Sequence, residues 1–336
     1  MTCSRTLGRP RLALLAPVVI TVALVAALTT PARAGGSWVR RADMPLGEQQ
    51  AGVAKLGGKI YLMGGLEHFR AIQVYDPVSD SWAQAPYRLP APRWGAAAAT
   101  TINGRILLFG GGSGDFDFVG TSSTYSINPA AGTVTPRQIS PIPLEQAAAV
   151  TIPGTNRVMV VGGHNQQETG PKLHATPVYI YDALHNTWTR KANLPVSVSL
   201  FGGTALAVHG TIYYYGGLAD LLSGPISRAV FRYQARSDSW AKVASMPLGT
   251  DVRAQGAVGL DGKIYIVGTD FTNERSVTVF DPATRTWSTG PAIPSTLGPR
   301  TVIALSGRIY ALGGAYLVQG ETLSGTWNWA LATSAP

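Results

Sequence analysis

The chain has 336 residues, of which 45% are hydrophobic and 13% are charged. A chain of this length and hydrophobicity can bury a large core, so the composition excludes a disordered protein. The net charge of +9 is scattered along the sequence rather than gathered in a basic stripe, which excludes a nucleic-acid-binding surface. With 39 glycines and 23 prolines, the chain is predicted to form many short strands joined by tight turns.

The first 34 residues have the pattern of a secretory signal peptide. Arg5, Arg9 and Arg11 precede an apolar run from Leu12 to Leu28, and small residues ending at Ala34 supply an A-x-A cleavage site. An uncleaved membrane anchor is the alternative, but the run has 17 residues, the lower limit for spanning a bilayer. We expect cleavage after Ala34 and a secreted or periplasmic protein that is not inserted in the membrane.

Cleavage at this position changes the charge and the cysteine content of the chain. The leader holds four of the 27 basic residues and no acidic residue, so the net charge falls from +9 to +5. The only cysteine, Cys3, leaves with the leader, so the mature chain has no disulfide and no thiolate ligand. The five histidines lack metal-ligand spacing, and Asp115 and Asp117 lack the rest of an EF-hand loop. We therefore expect no metal site and no cofactor.

Six repeated units account for the rest of the sequence. Apolar runs end in glycine at intervals of 45 to 54 residues, at Gly64-Gly65, Gly110-Gly111, Gly162-Gly163, Gly216-Gly217, Gly268 and Gly313-Gly314. In four units an aromatic residue precedes a tryptophan by seven positions, at Tyr75/Trp82, Tyr181/Trp188, Tyr233/Trp240 and Phe280/Trp287. Each unit predicts a four-stranded antiparallel sheet, in which a run of small residues is the innermost strand and the apolar run is the second. The aromatic residue and the tryptophan face each other across the outer hairpin.

The two ends of the repeat region complement each other. The segment from Trp38 to Pro45 matches the fourth-strand pattern, although no earlier strand of its unit precedes it. The sixth unit, in contrast, ends after a third strand predicted around Trp327 to Leu331. The N-terminal strand is therefore predicted to complete the last blade and to close the ring, which removes exposed sheet edges. The prediction is an all-β, six-bladed propeller over residues 35–336, present as a monomer.

The paired glycines and the Tyr-x6-Trp spacing resemble the kelch repeat, and the resemblance covers residues 37–331. Departures occur at Ile127 and Val134 in the second unit and at Thr269, which replaces the second glycine of the fifth. The resemblance implies a kelch-type propeller, a fold that hosts many activities. Kelch-type copper oxidases similar to galactose oxidase need a cysteine cross-linked to a tyrosine, and the absence of a mature cysteine excludes that activity.

Polar and aromatic residues precede several of the innermost strands, on the face that also carries the loops between second and third strands. Loops of this kind commonly carry function. The candidate ligand-binding residues are Gln50, Arg93, Trp94, Glu145, Arg228 and Arg253. Guanidinium, amide and indole groups around an axial funnel suit a hydroxyl-rich ligand. We therefore expect a recognition module for a glycan or an extracellular protein, with its site beside the longer loops of units two to four.

Two other functions stay open at this point. Secreted six-bladed kelch proteins include the N-acetylneuraminate epimerases (sialate mutarotases), which need no cofactor. The resemblance implies a glutamate and an arginine of one blade for proton transfer on the sugar. Arg228 matches the arginine, but Leu218 stands where the glutamate is expected. A scaffold without a small-molecule site is the third possibility.

Overall fold

The computed structural model of the protein describes residues 36–113, 120–163, 176–196, 202–217, 227–247, 256–268, 275–294, 301–318 and 321–332. These residues form 26 strands, and the first, β1 (Trp38–Arg40), is followed by a regular succession of four-stranded sheets. Blade 1 comprises β2 (Gly52–Leu56), β3 (Lys59–Met63), β4 (Ile72–Asp76) and β5 (Ser81–Gln84). Blade 2 comprises β6 (Ala97–Thr100), β7 (Ile106–Phe109), β8 (Thr124–Asn128) and β9 (Thr133–Pro136).

The next three blades repeat this order. Blade 3 comprises β10 (Ala148–Thr151), β11 (Arg157–Val161), β12 (Val178–Asp182) and β13 (Thr187–Lys191). Blade 4 comprises β14 (Thr204–Val208), β15 (Thr211–Tyr215), β16 (Ala229–Gln234) and β17 (Ser239–Ser245). Blade 5 comprises β18 (Ala257–Leu260), β19 (Lys263–Val267), β20 (Val277–Asp281) and β21 (Thr286–Thr289).

Blade 6 is assembled from both ends of the repeat region, as the sequence predicts. It contains β22 (Thr301–Leu305), β23 (Arg308–Leu312), β26 (Asn328–Ala332) and β1, and β1 pairs antiparallel with β26. The innermost strands contact one another in order, and β22 contacts β2, which closes the ring. The predicted six-bladed propeller is therefore confirmed. A hairpin of β24 (Ala315–Val318) and β25 (Glu321–Ser324), inserted between β23 and β26, was not predicted because its segment lacks the repeat pattern.

The hydrophobic core is divided into six clusters, one between each pair of neighbouring blades. The second strands are buried along nearly their whole length because each of their faces meets a different neighbour. The cluster at the closure joins blade 6 to blade 1 through Tyr310 and Leu312 on one side and Ile60, Leu62 and Tyr75 on the other.

The paired glycines make the close contact between blades. Gly65 donates its amide to the carbonyl of Arg93 at 2.9 Å, and a Cβ added to Gly64 would overlap that same carbonyl. Both glycines have positive φ, which side chains disfavour. The same arrangement recurs twice in the described residues, with Gly110-Gly111 on the carbonyl of Leu144 and Gly313-Gly314 on the carbonyl of Glu48. The glycine motif thus marks a position where one backbone rests on the next blade.

The Tyr-x6-Trp motif forms a second contact between blades, which we call the clamp. In blade 1, Tyr75 and Trp82 are paired across the hairpin with ring centroids 5.0 Å apart. The Tyr75 hydroxyl donates to Asp80 at 2.7 Å, and Asp80 accepts the amide of Ala42 at 3.0 Å. The Trp82 indole donates to the carbonyl of Ala42 at 2.9 Å. Two side chains of blade 1 therefore hold both polar groups of one residue that follows β1.

Blades 3 and 4 carry the same clamp, whereas blades 2 and 5 show no equivalent hydrogen bonds among the described residues. Asn186 and Trp188 hold the amide and the carbonyl of Gln138, and Asp238 and Trp240 hold those of Ala192. The hydroxyls of Tyr181 and Tyr233 donate to Asn186 and Asp238. In blade 5, Phe280 has no hydroxyl and Arg285 takes the position of the carboxyl, although Phe280 and Trp287 still stack at 4.7 Å. In blade 2, Ile127 pairs with Val134 at the corresponding positions.

The clamp predicts a specific stability loss at the ring closure. We expect Asp80→Gly to lower the free energy of unfolding by about 1–3 kcal/mol, because the Tyr75 hydroxyl and the Ala42 amide lose their acceptor. Glycine is chosen because Asp80 has a φ of 46°, which glycine adopts without strain. Asp80→Asn should cost less, since Asn186 fills this position in blade 3. Urea denaturation of wild type and of both Asp80 variants measures these differences. Ser79→Ala, which changes an exposed neighbouring residue, is the control. Wild-type stability of Asp80→Gly would contradict the clamp.

Candidate functional site

The segments that lead into the innermost strands form a collar at one end of the axial channel. The collar comprises residues 48–51, 93–96 and 144–147 together with Gly202. Its residues Gln50, Gly95, Gln146 and Gly202 all have positive φ, between 50° and 66°. Gly95, Gln146 and Gly202 each donate the backbone amide to the carbonyl of the residue before them in this series, at 2.7 to 2.9 Å, and Gln50 accepts the first of these bonds. The predicted site residue Gln50 is therefore half-buried and holds the first link of this chain.

Arg93 lies in the collar but its guanidinium is enclosed by blade 2. The residue is 5% exposed, and it donates to the Ser123 hydroxyl at 3.0 Å, to the Tyr125 hydroxyl at 3.1 Å and to the carbonyl of Pro92. The guanidinium also lies 5.4 Å from the centre of the Tyr125 ring. Burial lowers the pKa of Arg93. The sequence predicted that the Arg93 side chain faces the funnel, whereas the structure shows its guanidinium enclosed by blade 2. Contact of Arg93 with a ligand stays a prediction.

Trp94 and Glu145 are also buried in the collar. Trp94 is 1% exposed, and it exchanges backbone hydrogen bonds with Gly112, whose missing Cβ makes room for the indole ring. Glu145 is 3% exposed. It follows Leu144, whose carbonyl accepts the amide of Gly111 from the paired glycines of blade 2. The structure thus places Gln50, Arg93, Trp94 and Glu145 in one collar and encloses the last three within the protein, while their contact with a ligand stays a prediction. Arg253 lies outside the described residues.

Arg228 occupies a position that recurs in three blades. It precedes β16 and donates to the carbonyl of Met246 at the end of the outer strand. Arg70 donates to Leu89 in blade 1 at 2.7 Å, and Arg275 donates to Ile293 in blade 5 at 2.9 Å. The repetition indicates a framework role that ties the start of the third strand to the segment that follows the fourth. Leu218, the other position of interest for a mutarotase, lies outside the described residues, as do Asp115 and Asp117.

Glu48 is a buried carboxyl beneath the loop that joins β3 to β4. It is 3% exposed, and a Cβ added to Gly65 would overlap its carboxyl group. Neither carboxyl oxygen has a hydrogen-bond partner among the described residues. Burial, with a smaller contribution from the charge of Glu67, raises the pKa of Glu48 from its ordinary 4.5 to about 9. The carboxyl is therefore neutral at pH 7, at the repeat position that Arg93 occupies in blade 2.

A groove of about 430 Å³ lies on the outside of the same loop, on the rim of blade 1. Leu46, Phe69 and Ile72 supply apolar surface, and Glu67, His68, Arg70 and Arg88 supply its ionisable groups. Arg70 is bound to Leu89, whereas Arg88 is exposed and has no hydrogen bond or ion pair among the described residues. None of these residues is among the six ligand-binding candidates predicted from the sequence. The cluster of basic and aromatic residues after the first glycine pair could have indicated a binding site. The repeat pattern, however, is the same in blade 1 as in other blades and gave no reason to choose this loop.

Two further observations concern the part of the chain that the structure describes. No group of three or more histidine, cysteine, aspartate or glutamate side chains gathers there in a way that could hold a metal ion. No helix in that part has the length and apolarity needed to cross a membrane.

Comparison with known proteins identifies the repeat. The KLHDC2/KLHL20/DRC7 Kelch-repeats domain model matches residues 50–269. Kelch-like protein terF of Aspergillus terreus is 30% identical over 253 residues, which are 69% of this chain and 52% of the relative. Kelch-like protein 35 of Mus musculus is 23% identical over 254 residues, 74% of this chain and 32% of the relative. Beta-scruin of Limulus polyphemus is 26% identical over 181 residues, 51% of this chain and 19% of that protein. The chain thus spans about half or less of the length of these relatives.

The buried Glu48 carboxyl predicts a pH-dependent stability. The folded pKa of about 9 exceeds the ordinary 4.5, so the stability contributed by the protonated group is complete below pH 4.5 and is lost as pH rises toward 9. Glu48→Gln keeps a neutral side chain of similar size at every pH. We therefore expect the variant to gain stability over wild type between pH 5 and pH 9, measured by urea denaturation.

The control for this measurement is Asp43→Asn, which removes the same charge from a carboxyl that is exposed and paired with Arg40. Its stability difference from wild type should stay constant between pH 5 and pH 9. If the Glu48→Gln curve instead runs parallel to that of wild type over this range, the carboxyl is not held neutral in the folded protein.

Proposed function

Because the chain belongs to the kelch-repeat family, we propose that it is an exported recognition module that binds an acidic segment of an extracellular protein. Kelch propeller domains generally act in protein binding, which supports the choice of a protein partner over a glycan. The single observation that carries the proposal is the groove on blade 1. It combines half-buried Phe69 with the exposed guanidinium of Arg88, which has no partner among the described residues, and this pairing of aromatic and arginine recurs at protein interfaces.

Charge supports an acidic partner. Arg70 and Arg88 border the groove with His68, and Glu67 is the one acidic side chain among the described residues that line it. The mature chain is expected to carry a net charge of +5 after loss of the leader, since the leader removes four basic residues from a total of +9. A positive surface attracts an acidic segment and speeds its association.

Export from the cytoplasm is the second part of the proposal. It is supported by the basic, apolar and small-residue segments of positions 1–34 and by the position of β1, which begins four residues after the expected cleavage site. N-terminal sequencing of protein collected outside the cytoplasm should read from Gly35. A chain that retains Met1 in the membrane fraction would contradict cleavage and favour an anchor.

The mutarotase alternative has no supporting geometry among the described residues. It requires a carboxyl and an arginine that converge in the funnel, yet Arg228 donates to a main-chain carbonyl in the same way as Arg70 and Arg275. A role in binding an extracellular partner at the rim does not need such a pair.

The groove is tested with fluorescent peptides of defined charge. We expect a peptide of alternating glutamate and phenylalanine to bind the mature protein, and its lysine counterpart to bind at least about tenfold more weakly, because the free guanidinium of Arg88 attracts carboxylates. Arg88→Glu should weaken binding of the acidic peptide by at least about tenfold, measured by fluorescence anisotropy at 0.15 M salt. The fold should be unaffected because Arg88 is exposed.

Arg190→Glu is the matched control, because it makes the same charge change at an exposed position of β13 in blade 3. Equal losses in the two variants would show attraction to net charge alone and would overturn the groove as the site. Undiminished binding in Arg88→Glu would do the same. A glycan array probed in parallel with wild type and Arg88→Glu distinguishes a protein partner from a glycan ligand. Selective binding of a neutral glycan that the substitution does not affect would favour a glycan ligand.

A further inference from the structure

The axial channel is a second cavity, separate from the groove. It has a volume of about 480 Å³ and is lined by residues of all six innermost strands. Its walls are mostly alanine and other small or aliphatic side chains, such as Ala98, Ala149 and Val302. A cavity of this size is within the range of small-molecule sites.

Lys55 is the one ionisable side chain among the described residues that line the channel. Its ammonium donates to the carbonyl of Ala304 at 2.7 Å, across the closure between blades 1 and 6, and makes no ion pair among the described residues. An ammonium has three donors, so this bond leaves two for another acceptor. Lys55 is exposed to solvent, and partial desolvation by the channel walls lowers the pKa of its ammonium.

The hydroxyl groups beside Lys55 are already committed as donors. Thr100 donates to the carbonyl of Lys55 at 2.7 Å, and Thr151 donates to the carbonyl of Thr100 at 2.5 Å. These bonds continue the series that begins with Lys55 and Ala304, so that each side chain reaches the preceding blade. Among the described residues at this level of the channel, the remaining side-chain donor is therefore the ammonium of Lys55, and its positive charge attracts an anion.

We propose that the channel binds a small organic monocarboxylate with an apolar body, whose carboxylate pairs with Lys55. The ammonium supplies one localised positive charge, and the alanine and valine walls contact the apolar part of the ligand. A ligand with several charges would bring them against walls that offer no further ionisable partner. The site is independent of the groove and therefore of the proposed partner protein.

The probe is 4-bromobenzoate, with the uncharged 4-bromobenzyl alcohol as its matched control. Calorimetric titration of the mature protein should show binding of the carboxylate and at least tenfold weaker binding of the alcohol. Lys55→Met should weaken carboxylate binding by at least tenfold, whereas Lys55→Arg, which keeps the charge, should stay within about threefold of wild type. Lys242→Met removes the same charge from an exposed position on outer strand β17 and should leave the affinity unchanged.

Lys55→Met also loses the bond to Ala304, so a test on the wild-type protein accompanies the variants. Crystals soaked in 4-bromobenzoate should show one bromine anomalous peak inside the channel, with the carboxylate on the side of Lys55. Three results would overturn the proposal: no binding of the carboxylate by wild type, a bromine peak elsewhere only, or an unchanged affinity in folded Lys55→Met.

Discussion

The close approach of neighbouring backbones at the paired glycines is the constraint on which the propeller depends. At Gly64, Gly110 and Gly313 a side chain would occupy the space of a carbonyl oxygen that belongs to the next blade. The following glycine donates its amide to that same carbonyl, so the contact is both steric and polar. Because the second strand of each blade is buried on both faces, its end has no room for a bulkier residue and no water to replace the hydrogen bond. The ring can close only if this spacing is kept, including at Glu48 where blade 6 meets blade 1.

The clamp adds a contact at the outer edge of the blades that is strong in some interfaces and reduced in others. Blades 1, 3 and 4 hold one residue of the preceding blade through a carboxyl or amide and an indole. Blade 5 retains only the stacking of Phe280 on Trp287, and blade 2 retains an aliphatic pair. Hydrophobic contact between side chains is non-directional, so it survives these replacements, whereas the hydrogen bonds need particular groups at particular positions. A closed ring tolerates the variation because each blade is held from both sides.

The hydrogen bonds between backbone groups in the collar explain which polar side chains are buried and which are exposed. The collar uses positive φ and a chain of amide hydrogen bonds to bring the innermost strands together, and this packing encloses Arg93, Trp94 and Glu145. Polar groups that are not required for this packing occur elsewhere. Arg88 is exposed at the rim of blade 1 without a partner in the described part of the chain, and Lys55 faces the channel at the level of the closure. The two cavities differ in chemistry: several ionisable side chains line the groove, whereas small and aliphatic side chains line the channel, with Lys55 as the one cation among its described residues.

The amino-acid sequence by itself determined the number of blades, the order of their strands and the closure by Trp38, because these follow from periodic burial and from residues that recur at constant spacing. It also identified the Tyr75/Trp82 pair across its hairpin. Only the tertiary structure decided which polar residues are enclosed and which are free. Arg93 and Arg88 differ by five positions and have the same chemistry, yet one is bonded to Ser123 and Tyr125 and the other is exposed. That difference arises from contacts between segments about 30 residues apart, and spacing along the chain does not encode the direction in which a side chain leaves a loop.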